Sequence, residues 1–183
     1  HLASTRGGKV SFTHLIAWAL VESLAEMPEM NVAYTLDEKV KPALHNPAHV
    51  NLGLAIDVPS ANGERRLLVP SVKNADTLDL AGFIDAYDAL VVKARKGQLT
   101  VDDFKDTTAT LTNPGMIGTL NSVPRLMPGQ GLIMGVGAMT YPAAFAGASP
   151  ETLARQAVGK VLTLSNTYDH RVIQGAQSGE LLR

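Results

Sequence analysis

The pattern of apolar and polar residues predicts two long helices that each bury one face. Apolar residues recur at helical spacing over Phe12–Leu24, and Pro28 ends that stripe. A second stripe of the same period runs from about Thr77 to Lys96 and stops at Gly97. Because only one face of each segment is apolar, we expect both helices to pack against a shared core.

Strand signals occupy the segments between and after these helices. From Val50 to Val58 apolar residues alternate with smaller or polar ones, which predicts one half-buried strand. A second apolar run, Leu67–Val72, follows the turn dipeptide Asn62-Gly63, so we interpret the two runs as a hairpin. Further segments with strand character are Val32–Leu36, Ala109–Thr112, Leu132–Met134 and Val158–Thr167.

Short helical turns and the order of the elements complete the prediction. Thr100-x-x-Asp103 is typical of a capping box, and a short helix is predicted around Glu151–Gln156. Helices that alternate with hairpin-like strands indicate an α/β fold whose sheet is mixed rather than purely parallel. The length of 183 residues and the absence of internal repeats favour a single domain over residues 1–183.

Composition and charge exclude several classes of partner. Hydrophobic residues make up 45% and charged residues 18% of the chain, which indicates a packed globular body. The 16 basic and 17 acidic residues nearly cancel, and aromatic residues make up only 5%, so no nucleic-acid partner is expected. No apolar run approaches the roughly 18 residues that a membrane span requires, so no membrane association is expected.

The cysteine count bears on the cellular compartment of the protein, and the first residue on whether the chain is part of a longer one. The absence of cysteine excludes disulfides, thiolate metal sites and a cysteine nucleophile, and it fits a reducing compartment, so we expect a cytoplasmic protein. Because the chain begins with His1 rather than Met, we expect it to be a fragment of a longer protein.

Among the five histidines, only His170 has a neighbourhood that indicates chemistry. It follows a predicted strand and precedes Gln174-Gly175, and a base at a strand end is held rigidly while one face stays open to substrate. This spacing alone is a weak signal. The glycine-rich stretch 113–118 lacks both nucleotide-binding fingerprints and is interpreted as a backbone turn, and no spacing typical of metal ligands occurs. The histidines predicted to be structural or solvated are His1, His14, His45 and His49.

Asp169–Gly175, with the sequence Asp-His-Arg-Val-Ile-Gln-Gly, resembles the signature of the catalytic core of 2-oxoacid dehydrogenase dihydrolipoamide acyltransferases. This core is related to chloramphenicol acetyltransferase. The resemblance implies a mixed-sheet, coenzyme A-dependent acyltransferase fold of the α/β class that assembles as a homotrimer. Five further blocks resemble that family in family order and extend over nearly the whole chain: 28–31, 51–57, 68–70, 93–99 and 110–115.

A narrower resemblance concerns one subfamily. His170–Gly179, Thr112–Gly115 and Ser122–Leu126 are similar to the acyltransferase-like segment of actinobacterial multifunctional 2-oxoglutarate dehydrogenases. This similarity implies a core fused ahead of a decarboxylase that depends on thiamine diphosphate and Mg. It also implies coenzyme A and lipoamide as substrates, a lipoyl domain on another protein, and other 2-oxoacid dehydrogenase components as partners.

The resemblance also implies roles for individual residues in transfer of a succinyl group. His170 takes the position of the general base, and Thr112 that of the hydroxyl that donates to the oxyanion. Gln174 departs from the aspartate usual in that family, and we expect it to support local structure. Asp169 and Arg171 are expected to pair structurally. In the implied trimer, His170 and Thr112 meet across two subunits.

Two other functions stay open at this point. The first is a non-catalytic module that oligomerises the fused decarboxylase and docks its partners, which the Gln174 departure favours. The second is a free-standing acyltransferase that acts on a small-molecule acceptor.

Overall fold

A computed structural model describes residues 9–59 and 63–183. Its helices are α1 (Phe12–Glu26), α2 (Leu80–Arg95), α3 (Pro150–Arg155) and α4 (Gly175–Leu181). Its strands are β1 (Ala33–Leu36), β2 (Pro42–His45), β3 (Leu52–Leu54), β4 (Ile56–Pro59), β5 (Arg65–Leu68), β6 (Ser71–Val72), β7 (Ala109–Thr112), β8 (Leu132–Val136) and β9 (Leu164–Tyr168).

The centre of the molecule is a five-stranded sheet in the order β6-β3-β7-β8-β9. The pairs β3–β7 and β7–β8 are parallel, whereas β3–β6 and β8–β9 are antiparallel. The predicted α/β class with a mixed sheet is therefore confirmed. Strands β1 and β2 form one separate antiparallel hairpin, and β4 and β5 form another.

The two long helices supply one side of the hydrophobic core. The first turn of α1 is capped by Ser11, whose hydroxyl accepts from the His14 N–H, and α2 is capped by the Asp79 carboxylate. Their buried apolar residues join those of the central sheet in one cluster. Burial of this apolar surface is the main term that holds both helices on the sheet. The buried helix residues of this cluster include Ala17, Leu20, Val21, Leu24, Phe83, Ile84 and Leu90.

The prediction of one half-buried strand over Val50–Val58 is wrong. The segment forms two strands, because the chain leaves the central sheet at Ala55, whose N–H makes a last bond to the Leu111 carbonyl of β7. The neighbour β7 ends at Thr112 before Asn113-Pro114, and proline cannot continue a ladder. The first strand, β3, is buried throughout because strands flank it on both sides. The second, β4, turns outward to pair with β5.

The predicted hairpin is confirmed in part. Strands β4 and β5 pair as expected, but the run Leu67–Val72 is divided, since Ser71 and Val72 form β6 and return to the central sheet beside β3. Of the predicted turn dipeptide, Asn62 lies outside the described residues, and Gly63 has a φ of +83° that suits glycine.

The prediction of a strand over Val158–Thr167 is also wrong at its beginning. Strand β9 starts only at Leu164, which lies opposite Val136, the last residue of β8. Before that point no long partner strand lies beside the segment in the described part of the chain, and Val161 makes an isolated bridge to Thr140. The strand therefore extends only as far as its neighbour does.

Other predicted elements agree with the structure, while two elements were not predicted. Helices α1, α2 and α3, the capped turn at Thr100 and strand β7 lie where expected. No pattern in the sequence predicted strand β2 or helix α4. No helix among the described residues is long and apolar enough to cross a membrane.

Candidate active site

The predicted base and the predicted oxyanion donor lie at opposite ends of the central sheet. Leu132 of β8 lies opposite Ala109 on one side and Tyr168 on the other, whereas Gly135 lies opposite Thr112 and Ser165. These two rows are three residues apart, about 10 Å at about 3.3 Å per residue. His170 follows β9 and lies beyond the first row. We call residues 168–174 the His170 end and residues 112–124 the Thr112 end; within one chain the two do not meet.

The His170 end is a tight turn tied to the sheet and to the core. The Asp169 N–H donates to the Gly131 carbonyl at 3.1 Å, and the Asp169 carbonyl accepts from the N–H groups of Val172 and Ile173. The Ile173 side chain is fully buried. Full burial of such a side chain contributes about 2 kcal/mol to stability, so the turn is anchored on both sides of His170.

The imidazole of His170 is exposed and makes one ring contact. Its centroid lies 5.4 Å from that of Tyr168, with the ring planes tilted by 46°. Within the described part of the chain, neither ring nitrogen has a hydrogen-bond partner. Both nitrogens are therefore available to a reactant, and the ring owes its place to the backbone of residue 170 and to Tyr168.

Asp169 and Arg171 bind each other across His170, as the sequence analysis expected. The Arg171 Nε and Nη2 atoms lie 2.8 Å and 2.6 Å from the two carboxylate oxygens, and the Arg171 N–H also donates to Asp169. Hydrogen bonding from Arg171 holds the pKa of the Asp169 carboxyl below its usual value. The same contact raises the pKa of Arg171.

Tyr34 is a residue of this region that the sequence analysis missed. Its ring, on β1, lies under the Arg171 guanidinium, with 3.8 Å between the central guanidinium carbon and the ring centroid. The predicted strand at Val32–Leu36 placed Tyr34 in an alternating pattern, but no sequence signal links it to Arg171.

The Thr112 end presents a hydroxyl at the last position of β7. Thr112 is half-buried, and no acceptor or donor within residues 9–59 and 63–183 engages its Oγ1 atom. The next residue is fixed, because Asn113 Nδ2 donates to Thr13 Oγ1 of α1 at 2.8 Å. The Thr112 hydroxyl is therefore held in place through its backbone and is open to a reactant.

The loop after Thr112 approaches β8 closely through glycines. A Cβ placed on Gly115 would lie 2.3 Å from the Gly137 carbonyl carbon, and one on Gly137 would lie 2.1 Å from the Leu120 carbonyl oxygen. The stretch interpreted as a backbone turn does form a 3-10 turn, over Pro114–Ile117. In contrast to this tight backbone, several apolar side chains of the loop face outward: Met116, Ile117, Leu120 and Val123.

Gln174 lies at the His170 end, at the start of α4. Its N–H donates to Gln177 Oε1 at 2.8 Å, and its carbonyl accepts from the Ser178 N–H. The residue is exposed and precedes the first residue of the helix. Its position is consistent with the expected support of local structure.

The other described histidines lie away from this arrangement. His14 is buried, with Nδ1 accepting from the Ser11 N–H at 3.3 Å and Nε2 3.2 Å from Asp88, so it joins α1 to α2. His49 contacts Asp76 at 3.0 Å. His1 lies outside the described residues. Within the described ranges, no group of three or more acidic or histidine side chains is arranged to hold a metal ion.

Comparison with protein families and curated proteins gives consistent results. The family model described as 2-oxoacid dehydrogenases acyltransferase (catalytic domain) matches residues 1–183. A multifunctional 2-oxoglutarate metabolism enzyme of Mycolicibacterium vanbaalenii is 54% identical over all 183 residues. A 2-oxoglutarate dehydrogenase E1/E2 component of Corynebacterium glutamicum is 53% identical over 182 residues. The chain spans only 15% of the length of each of these relatives.

Two solved structures have folds similar to that of this chain. A dihydrolipoamide acetyltransferase of Azotobacter vinelandii matches with a TM-score of 0.76 and 28% identity, covering 99% of this chain and 69% of that one. That enzyme was studied for the roles of a serine, a histidine and an asparagine four positions after the histidine. A chloramphenicol acetyltransferase matches with a TM-score of 0.51 and 13% identity, covering 98% of this chain and 77% of that one, which shows the fold alone.

Proposed function

The chain belongs to the acyltransferase catalytic-domain family of the 2-oxoacid dehydrogenases, and from that membership we propose that it moves a succinyl group between dihydrolipoamide and coenzyme A. The succinyl group is inferred from two relatives whose names refer to 2-oxoglutarate. The observation that carries the proposal is that each chain presents an imidazole at one end of its sheet and a hydroxyl at the other, neither of which is engaged by another side chain of residues 9–59 and 63–183 in a hydrogen bond.

In the proposed reaction, His170 is the general base. A free thiol has a pKa near 8.5, so a positioned imidazole that accepts the coenzyme A proton during attack makes the nucleophile available at neutral pH. The sulfur attacks the carbonyl of succinyl-dihydrolipoamide and forms a tetrahedral intermediate with a negative oxygen. When that intermediate collapses, the dihydrolipoamide sulfur leaves and takes the proton back from the imidazolium.

Thr112 is the proposed donor to the negative oxygen. Its hydroxyl has no competing partner among the described residues, and loss of one such donor typically costs about 3 kcal/mol of transition-state stabilisation. Because the two ends are separated within a chain, we propose that the active site forms between subunits of a homotrimer. The His170 end of one subunit then faces the Thr112 end of its neighbour.

The proposal accommodates Gln174. In the Azotobacter vinelandii acetyltransferase, the residue four positions after the histidine is an asparagine, which is also an amide. An amide can donate and accept hydrogen bonds without carrying charge. We therefore propose that Gln174 aids the reaction by shaping the turn at the start of α4, with His170 alone moving the proton.

Thiamine diphosphate and its Mg²⁺ belong to a different part of the proposed system. Among the described residues there is no acidic or histidine cluster that fits such a metal, so no step here involves it. The name of the Corynebacterium glutamicum relative couples two components in one protein. We propose that the decarboxylase is fused to this acyltransferase and that the lipoyl arm comes from another protein.

The test is transfer of succinyl from succinyl-dihydrolipoamide to coenzyme A by the complete protein that carries these residues. We expect His170→Ala to lower kcat by about 10³-fold, within the usual range for loss of an acid–base group. His49→Ala, which removes an imidazole that contacts Asp76 away from both ends of the sheet, is the matched control and should keep its rate. Absence of transfer by the folded, oligomeric native protein would overturn the proposal and favour the assembly module.

A further inference from the structure

We infer that Tyr34 and Arg171 are positioning residues for His170, so that the β1–β2 hairpin takes part in holding the general base. The inference rests on the proposed function, because it deepens the role of His170. Neither residue is placed in contact with a reactant. Their effect runs through the turn in which His170 lies.

His170 has few contacts of its own. Its ring touches Tyr168, and no hydrogen bond within the described residues orients either nitrogen. A catalytic group must be held to within a fraction of an ångström of its working geometry. That precision must therefore come from the backbone of residue 170, which its two neighbours fix.

The two neighbours of His170, Asp169 and Arg171, are bound to each other. The Asp169 side chain is only 12% exposed and receives both Nε and Nη2 of Arg171. This two-point contact has a defined direction as well as strength, unlike a contact to a single charged atom. It fixes residues 169 and 171 relative to one another, with His170 between them.

Arg171 is itself held by a residue from outside the turn. Its side chain is 62% exposed, and an exposed ion pair alone would exchange freely with water. The Tyr34 ring covers one face of the guanidinium at 3.8 Å, well within the range of cation–π attraction. Tyr34 thus limits the positions that Arg171 can adopt while it binds Asp169.

The hairpin is a firm base for this contact. Strands β1 and β2 pair over four residues each, and Tyr34 lies opposite Leu44. The entry to β1 packs tightly beneath the turn, since a Cβ on Gly131 would lie 2.4 Å from the Val32 carbonyl oxygen. Gly131 is also the residue whose carbonyl accepts from Asp169. The hairpin and the turn therefore share one anchoring point.

The test compares Tyr34→Leu with Tyr34→Phe in the complete protein. We expect Tyr34→Leu to lower kcat about tenfold, because small displacements of a catalytic group cost one to two orders of magnitude. The KM values for coenzyme A and for dihydrolipoamide should stay within about twofold, since substrate contacts are intact. Tyr34→Phe keeps the aromatic face and should restore kcat to within about twofold of the native value.

The control is Leu44→Ala, which removes an exposed apolar side chain opposite Tyr34 and should leave kcat unchanged. Equal losses in the leucine and phenylalanine variants, an unchanged kcat in Tyr34→Leu, or a rise in KM that accounts for the whole effect would each overturn the inference.

A second measurement separates this inference from the proposed function. If the native complete protein transfers no succinyl group, the proposed function fails, and the position of the His170 ring is then compared by structure determination of the native protein and Tyr34→Leu. A well-defined ring in the native protein and a displaced or smeared ring in the variant would support positioning by Tyr34. The same well-defined ring in both would overturn it.

Discussion

Both ends of the sheet are held by side-chain bonds and close glycine packing, but the His170 end adds a charged pair and a buried apolar anchor, whereas the Thr112 end leaves apolar side chains exposed. Asp169 is tied to Arg171, and Ile173 is fully buried. Near Thr112, by contrast, Gly115 packs on the Gly137 backbone while neighbouring apolar side chains point outward. Contacts within the chain hold both ends, and the Thr112 end in addition leaves apolar side chains uncovered.

The exposed apolar side chains indicate which end would face a second subunit in the proposed homotrimer. Met116 is 78% and Ile117 73% exposed, and large apolar side chains grouped on a surface mark interaction sites. If Thr112 acts on a substrate bound beside the neighbour's His170, the loop after Thr112 must lie at that junction. The exposed side chains then become part of the subunit interface, where their burial favours assembly.

The largest expected effect comes from mixing two inactive variants. Thr112→Ala should lower transfer by about 10²-fold and His170→Ala by about 10³-fold. If the site lies between subunits, oligomers assembled from equal amounts of both chains contain some sites with an intact His170 and an intact Thr112. With random assembly about one site in four is complete, and activity should return to about a quarter of the native value.

The measurement is the initial rate of succinyl transfer after the two variants are unfolded together and refolded, or produced together in one cell. Each variant treated alone is the control. Activity that stays at the level of the single variants, in oligomers shown to contain both chains, would mean that the two residues do not share a site across subunits.

Glycine substitutions test how the two ends are built. An added methyl group at Gly131 meets the carbonyl oxygens of Val32 and Met30 at 2.4 Å and 2.9 Å, and one at Gly115 meets the Gly137 backbone. Backbone atoms cannot yield as a flexible side chain does, so we expect each alanine to cost about 3 kcal/mol of stability. Gly131→Ala should loosen the His170 end, and Gly115→Ala the Thr112 end.

Hydrogen exchange of peptides in the complete protein would locate these losses. Exchange within residues 164–181 should rise by about a hundredfold in Gly131→Ala, and exchange within residues 112–124 by a similar factor in Gly115→Ala. Gly179→Ala is the control, because no described atom outside its own helical turn lies within 4 Å of the added carbon, and alanine favours the helix by up to about 1 kcal/mol. The same exchange pattern in both test variants would contradict independent construction of the two ends.

Local patterns account for the parts of the fold that were predicted from sequence. Helix α1 has an uninterrupted apolar stripe that ends before Pro28, and β7 is bounded by Asn113-Pro114, so each element carries its own limits. The division at Ala55 and the late start of β9 depend on how far neighbouring strands extend, which no local pattern records. Helix α4 was missed because two glycines in seven residues give it a low helix propensity.

The candidate site, like the fold, could be predicted from the sequence only in part. His170 carried a weak spacing signal of its own, while Thr112 was identified only through a family resemblance, since a threonine that ends a strand is otherwise ordinary. The link between Tyr34 and Arg171 joins residues far apart in the chain and rests on the packing of a hairpin against a turn. Such a contact becomes visible only when the fold is known.

The smallest expected effect concerns Asp169 at the His170 end, and it depends on pH. Arg171 lowers the pKa of Asp169 below the ordinary value of 3.8 in the folded protein. A carboxyl group whose pKa is depressed by folding stabilises the protein above its unfolded pKa, and that stabilisation is lost as pH falls through the folded pKa. At pH 7, Asp169→Asn should therefore weaken the turn by about 1.5 kcal/mol, the lower end of the usual contribution of a hydrogen bond to a charged group, because Arg171 is 62% exposed and water screens the pair.

The difference between the native protein and Asp169→Asn should be constant from pH 7 to about 5 and should shrink as the pH falls below about 4, since protonation removes the same charge that the substitution removes. Exchange within residues 164–181, corrected for the intrinsic dependence on pH, measures this difference. Arg171→Gln and the double variant complete a cycle, in which the second substitution should cost less after the first because the partner is already lost. A difference that persists unchanged to pH 3, or strictly additive losses in the cycle, would show that the pair does not hold the turn. The His170 end would then be held by the buried Ile173 and by the backbone bond from Asp169 to Gly131.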